Sequence, residues 1–193
     1  MQATDRTLFQ RIVAIAALEA RPLTEALGLS RSQLDRLAAR HLPVLSVPSA
    51  PDDGPGPDAL EEPDLREYLL ECRAGRGEEE EWLAAIVARR SLLANHLWQD
   101  LGLADRSQLT TLFQRHFPEL ARRNRADMKW KKFFYRQLCQ REGIPVCKAP
   151  NCQVCADAAL CFGPETGEPL VALAALSRLE RDCRIRNNTS VSG

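Results

Sequence analysis

Apolar residues recur along most of this chain every three or four positions, the spacing that places side chains on one face of an α-helix. The pattern predicts an amphipathic helix over residues 7–20, a long helix that carries Trp82 to Leu97, and a third helix from about Pro118 to Arg141. Their apolar positions are Leu8, Ile12, Ile15, Ala16, Trp82, Ile86, Leu93, Leu97, Trp130, Phe133, Phe134 and Leu138. No segment alternates between apolar and polar residues as a half-buried strand does, so we expect an all-α protein.

A sequence repeat predicts two similar helical hairpins within this fold. The segment 27–43 recurs at 101–118, with an offset of 74 to 75 residues. Each copy has a glycine that ends one helix, a cap for the next helix (Ser30 or Asp105), and an Arg-His pair before a closing proline. We therefore expect two helical hairpins, each packed through its leucines.

Length and composition indicate one soluble domain. The chain has 193 residues, of which 45% are apolar, enough for a single core. We expect a helical domain over residues 1–183, in which the proline-rich stretch 44–63 is a linker or exposed loop, followed by a disordered tail over 184–193. The longest apolar runs have seven residues, against the ~20 needed to cross a bilayer, so we predict no membrane span.

Charge is balanced overall but unevenly distributed. Twenty-six basic and twenty-six acidic side chains give no net charge, which argues against general binding of polyanions. Residues 52–81 contain twelve acidic and three basic side chains, whereas residues 115–141 contain nine basic and two acidic ones. Lys129, Lys132 and Arg136 share one face of the predicted third helix. That face is a candidate for attracting anions or docking an acidic partner, although a solvated helix face is the favoured explanation.

Four cysteines near the C-terminus carry the strongest chemical signal. Cys147, Cys152, Cys155 and Cys161 form the pattern C-x4-C-x2-C-x5-C. Thiolates are the ligands that iron–sulfur clusters and zinc prefer, so the loop over residues 143–163 is predicted to bind a metal or a cluster. Glycine and proline near the start of this loop predict irregular backbone over residues 143–155.

Structural zinc, disulfides and a [2Fe–2S] ferredoxin site are the three alternatives for these cysteines. The ferredoxin site shares the C-x4-C-x2-C opening, but its last ligand lies much further along the chain and its scaffold is rich in strands. Only Cys152 and Cys155 have the spacing of a zinc knuckle. Disulfides are disfavoured because the chain has seven cysteines and residues 1–25 show no secretory signal, which predicts a cytoplasmic protein with reduced thiols. Cys139 is a candidate spare ligand. His41 and His116 precede the two repeat prolines, where capping of a helix C-terminus is expected, with His116 as a candidate assisting ligand.

The cysteine region and the helix before it resemble the NifQ family of nitrogen-fixation proteins. The resemblance is carried by the segment 128–139, by Ala149-Pro150, by Cys161-Phe162-Gly163 and by the spacing of the four cysteines. It implies an all-α carrier that binds a molybdenum–iron–sulfur cluster on those cysteines and supplies molybdenum for the iron–molybdenum cofactor of nitrogenase. The implied partners are the scaffold and reductase of cofactor assembly, with molybdate or a molybdenum storage protein as the source.

Two other functional classes are less favoured by the sequence. The hairpin repeat resembles a helix-turn-helix, in which Arg31, Gln33 and Arg36 would face DNA while a downstream iron–sulfur or zinc site acts as a sensor. We expect no nucleic-acid binding, because the first hairpin is only weakly basic. The chain also lacks a phosphate-binding glycine loop, a nucleophile elbow and the paired histidines of zinc hydrolases, so we expect no enzyme activity.

Overall fold

The structure is a computed structural model that describes residues 4–42, 54–144 and 152–170. Within those residues the regular secondary structure is entirely helical, which confirms the predicted all-α class. The α-helices are α1 (Asp5–Ala16), α2 (Leu23–Leu27), α3 (Arg31–His41), α4 (Glu62–Glu71), α5 (Glu78–Ser91), α6 (Leu97–Asp100), α7 (Arg106–His116), α8 (Pro118–Arg123), α9 (Trp130–Arg141) and α10 (Ala158–Phe162). None of the helices in this part of the chain is both long and apolar enough to cross a bilayer.

Two of the predicted helices are in fact pairs of shorter helices. The helix predicted to run from Trp82 to Leu97 ends at Ser91, and Leu97 begins α6. At the start of α6 the Gln99 side chain accepts a hydrogen bond from the His96 backbone amide. The helix predicted from Pro118 to Arg141 is interrupted between α8 and α9. Hydrophobic spacing continued through both breaks because residues on either side of each turn face the same core.

The proline-rich stretch is shorter than predicted. Residues 43–53 lie outside the described residues, whereas α4 already begins at Glu62 with a proline in its first turn. Residues 54–61 are exposed, as expected for a loop, but Asp58 accepts hydrogen bonds from Arg66 and Arg89. The end of this loop is therefore fixed to the helical body. The predicted tail over 184–193 also lies outside the described residues.

The two predicted hairpins are present and match closely. Gly28 and Gly102 end α2 and α6 in the left-handed conformation, with φ of 65° and 68°. The amide after each glycine donates to a carbonyl in the preceding helix at 3.0 and 2.8 Å. Ser30 and Asp105 then accept hydrogen bonds from the third-position amides of α3 and α7. The repeated residues thus form the same turn and the same cap twice.

The structural repeat also includes the long helix before each hairpin. Helices α1–α3 form the first repeat and α5–α7 form the second, and the two repeats bind each other reciprocally. His41 at the end of α3 lies 3.2 Å from the Glu79 carboxylate of α5, and His116 at the end of α7 lies 3.0 Å from the Asp5 carboxylate of α1. Both histidines therefore bind a carboxylate at the start of the other repeat's long helix, rather than capping their own helix as predicted.

The close approach of α6 to α1 makes Gly102 more restrictive than Gly28. A Cβ on Gly102 would lie 2.6 Å from the carbonyl oxygen of Arg11, whereas the equivalent Cβ on Gly28 would lie 3.4 Å from the carbonyl oxygen of Ala85. A side chain at either position also meets the strain of the left-handed conformation. Only at Gly102 would an added Cβ also clash with the backbone of another helix.

We predict that Gly102→Ala is more destabilising than Gly28→Ala. Left-handed strain costs about 1–2 kcal/mol at each position, and the clash with the Arg11 carbonyl adds to it only at Gly102. Urea unfolding followed by circular dichroism measures the difference in the free energy of unfolding. Equal losses for the two variants would contradict the asymmetric packing.

Candidate metal centre

The cysteine segment is partly helical where the structure describes it. Cys152 begins a single 3-10 turn, Cys155 follows that turn, and Cys161 lies within α10. The prediction of irregular backbone across residues 143–155 is therefore wrong for the 3-10 turn, and α10 adds a helical turn to the predicted loop. Residues 145–151, with Cys147, lie outside the described residues.

Three of the four predicted ligands are accessible, reduced thiols. Cys152, Cys155 and Cys161 are each half-buried and form no disulfide. Among the described residues no set of three or more His, Cys, Asp or Glu side chains is arranged to hold a metal ion. Because Cys147 lies outside those residues, the convergence of all four thiolates stays a prediction. The donor set itself consists of soft thiols, which suit iron–sulfur clusters and zinc.

A backbone hydrogen bond fixes the C-terminal end of this segment to the helical body. The amide of Lys129, at the start of α9, donates to the carbonyl oxygen of Cys161 at 2.8 Å. The side chains of Cys161 and Phe162 pack against the core. Cys161 is therefore held against α9, while Val154 and Leu160 in the same segment are mostly exposed.

Residues after α10 add a second attachment. The Glu165 side chain is 5% exposed, and its carboxylate lies 2.9 Å from the guanidinium of Arg106. The side-chain amide of Gln99 donates a hydrogen bond to the carbonyl oxygen of Glu168 at 3.0 Å. These contacts join the chain beyond Cys161 to α6 and α7. Sequence reasoning missed Glu165 and Arg106, since nothing local pairs side chains so far apart along the chain.

Asn124 builds the turn that presents Lys129 to Cys161. Its side chain donates to the carbonyl oxygen of Met128 at 2.8 Å and accepts from the Met128 amide at 2.9 Å. Asp127 within this turn has a φ of 52°, and its carboxylate pairs with Arg106. Because these bonds satisfy backbone groups that would otherwise continue a helix, they end α8 and start α9 in a new direction.

Of the three predicted basic residues, one reaches a cysteine. Arg136 lies with Nη1 3.6 Å from the Sγ of Cys152. Lys129 acts through its backbone amide, and Lys132 is exposed. The adjacent Lys131, which the sequence did not single out, is half-buried and bonds the Asp100 carboxylate at 2.6 Å. Burial lowers the pKa of Lys131, and Asp100 opposes that shift.

The two auxiliary ligands named from the sequence are placed differently. Cys139 is half-buried on α9, and in the described residues it belongs to no metal-binding group. His116 is buried against Asp5, in a recess lined by no described cysteine. Burial lowers the pKa of His116, since its effect exceeds the attraction of Asp5. Neither placement favours Cys139 or His116 as an auxiliary metal ligand.

The side chains that would have to read DNA are engaged within the protein. Arg36 pairs with Glu78 at 2.8 Å, and Arg31 pairs with Asp35 at 2.9 Å. The Gln33 side chain accepts a hydrogen bond from the Ser30 amide as part of the capping box of α3. This arrangement explains the polar residues of the first hairpin by folding alone.

Comparison with known proteins identifies the family. A model of the NifQ family matches residues 8–163, a stretch that includes all four cysteines of the motif. The chain belongs to the NifQ family. The resemblance seen in the sequence is thereby confirmed, and membership gives the chain a role in nitrogen fixation.

Individual NifQ proteins are similar over much of the chain. The NifQ protein of Rhodobacter capsulatus is 43% identical over 145 residues, which is 75% of this chain and 79% of that protein. A NifQ homolog from Sinorhizobium fredii is 44% identical over 75% of this chain and 64% of its own length. The NifQ protein of Azotobacter vinelandii is 49% identical over 53% of this chain and 52% of its own length. No solved structure matches.

We predict that Asn124→Ala destabilises the protein by about 1 kcal/mol, because the buried Met128 amide loses its partner, whereas the Met128 carbonyl oxygen keeps the hydrogen bond from Arg106 at 2.9 Å. The loosened turn should also free the Lys129 amide from Cys161. Thermal unfolding and hydrogen exchange at residues 158–162 measure the two effects. Gln140→Ala, on the exposed end of α9, is the control and should change neither.

Proposed function

We propose that the chain carries a molybdenum–iron–sulfur cluster on Cys147, Cys152, Cys155 and Cys161, and that it donates molybdenum for assembly of the iron–molybdenum cofactor of nitrogenase. The observation that carries the proposal is the match of the NifQ family to residues 8–163, together with a thiol-rich segment docked on α9. The three described thiols are free and half-buried, as cluster ligands at a protein edge require.

The thiolates hold the cargo, and the neighbouring residues set its stability. A cluster with four thiolate ligands can include a heterometal that keeps an open coordination position for a partner's ligand, which permits transfer. Arg136 donates toward Cys152 and offsets negative charge at the thiolates. Trp130, Phe133 and Phe134 of α9 are buried in the core against which Cys161 and Phe162 also pack. The backbone bond to Cys161 fixes one end.

Exchange requires that the carrier meets other proteins. The proposed partners are the scaffold and reductase of cofactor assembly, and the molybdenum comes from molybdate or a storage protein. The exposed Lys132 and the half-buried Arg136 give α9 a basic edge next to Cys152, which suits an acidic partner surface. The protein acts in the cytoplasm as a carrier, without catalysing a reaction of its own.

We predict that the wild-type protein, purified without oxygen, contains iron, sulfide and molybdenum, and that Cys152→Ala or Cys155→Ala removes all three. Helix content should stay unchanged, because the helical body has its own core. Elemental analysis, electron paramagnetic resonance and circular dichroism provide the measurements. Cys72 is too deeply buried for its substitution to serve as a control. The control is Cys139→Ala, which should retain the cluster.

Three results would contradict this function. Stoichiometric zinc without iron or sulfide would identify a structural zinc site instead. Global unfolding of the Cys152 and Cys155 variants would likewise indicate that the metal holds the fold together. Binding of DNA at moderate salt would support the helix-turn-helix alternative, which no contact among the described residues favours.

We also predict that Arg136→Gln weakens cluster retention while Lys132→Gln does not. A charge-assisted bond to a thiolate contributes about 1.5–3 kcal/mol, which corresponds to tenfold or more in retention. The rate of iron release to a chelator, followed optically in the absence of oxygen, measures the effect. Equal release rates from both variants would show that the Arg136 contact is incidental.

A further inference from the structure

A recess that contains both charged and apolar side chains lies between α1 and α7, distant in sequence from the cysteine segment. Its volume is about 250 Å³. The recess is lined by Asp5, Leu8, Arg11, Leu103, Asp105 and residues 107, 108, 111, 112, 115 and 116 of α7. No described cysteine contributes to it, so the proposed carrier function leaves this recess without a role.

Arg11 is the unusual member of this lining. The residue is 8% exposed, and its buried Nε has no hydrogen-bond partner. Its guanidinium forms no ion pair with any side chain in the described ranges. A buried charge is costly unless it is paired and hydrogen-bonded. Arg11 therefore lines the recess with a guanidinium that has no ion-pair partner in the described ranges and whose Nε has no acceptor.

The two carboxylates in the recess are already occupied. Asp5 pairs with Arg115 at 2.9 Å and with His116 at 3.0 Å. Asp105 caps α7 by accepting from the Gln108 amide at 3.0 Å and from the Ser107 hydroxyl. These bonds lower the pKa of Asp105, and the positive charge of Arg11 contributes to that shift without a direct bond. The positive charge of Arg11 is left without a contact partner.

The repeat shows why the equivalent position in the other half is filled. With the offset of 74 residues that relates Asp5 to Glu79, Leu8 corresponds to Trp82 and Arg11 corresponds to Ala85. Trp82 is 1% exposed, and its ring packs against Phe9 and His41. The large indole of Trp82 and the small Ala85 thus fill the site beside His41. The smaller Leu8 and the charged Arg11 leave the equivalent site beside His116 open.

We infer that this recess binds a small tetrahedral oxyanion through the guanidinium of Arg11. Guanidinium groups offer parallel N–H donors that match the paired oxygens of such anions. Phosphate, sulfate and molybdate share this chemistry, and the recess has room for any of them together with water. Arg115 lines the same recess, where its charge is paired with Asp5. The site is independent of cluster binding.

The test is isothermal titration of the metal-free protein with potassium phosphate, sodium sulfate or sodium molybdate at constant ionic strength. We expect saturable binding of at least one anion, and comparison of the three identifies which. Arg11→Met should weaken it about tenfold or more, since hydrogen bonds to a charged group are lost. Arg6→Met removes one charge from the exposed face of α1 and should leave the affinity unchanged.

A second variant tests the recess without touching the charge. Leu8→Trp copies the residue of the other repeat, should fill the space and should abolish binding while the helical signal is retained. The Cys152→Ala, Cys155→Ala double variant should bind as the wild type does, which separates this site from the cluster. The inference is overturned if none of the three anions binds, or if affinity survives both Arg11→Met and Leu8→Trp.

Discussion

The burial of α5 on all sides is the constraint on which the rest of the structure depends. Every residue from Trp82 to Ser91 is buried, including two consecutive arginines. Since a buried guanidinium has to be paired, each arginine draws other segments onto the helix. Arg89 bonds Glu62 and the carbonyl oxygen of Glu25, while Arg90 bonds Glu19 and the carbonyl oxygen of Asp100. Two side chains thus tie α5 to the elements before and after it.

An internal repeat provides the frame around this helix, and its two halves have diverged. Reciprocal histidine–carboxylate contacts join the halves, because each hairpin reaches the start of the other half's long helix. One half is closed by an indole and the other contains a charged recess. The difference arises at two positions of a common scaffold, so a binding site can form without disturbing the packing that both halves share.

The cysteine segment sits at the edge of this frame. One end is held by the Lys129 amide and by Glu165, and Arg136 approaches Cys152 from α9. For the proposed carrier function, half-buried thiols at an edge combine protection of a cargo from water with access for a partner. The turn made by Asn124 sets this placement, since it directs α9 toward the cysteines.

The sequence alone determined the helical class, the two hairpins and the ligand motif, because these depend on spacing between near neighbours. Glycine, cap and leucine positions act within a single turn, and the four cysteines lie within one short segment. Only the tertiary structure decided that Glu165 meets Arg106, that His116 binds Asp5, and that Arg11 faces a recess. Those contacts join residues far apart in the chain, and their partners are selected by how the helices pack, which periodicity does not encode.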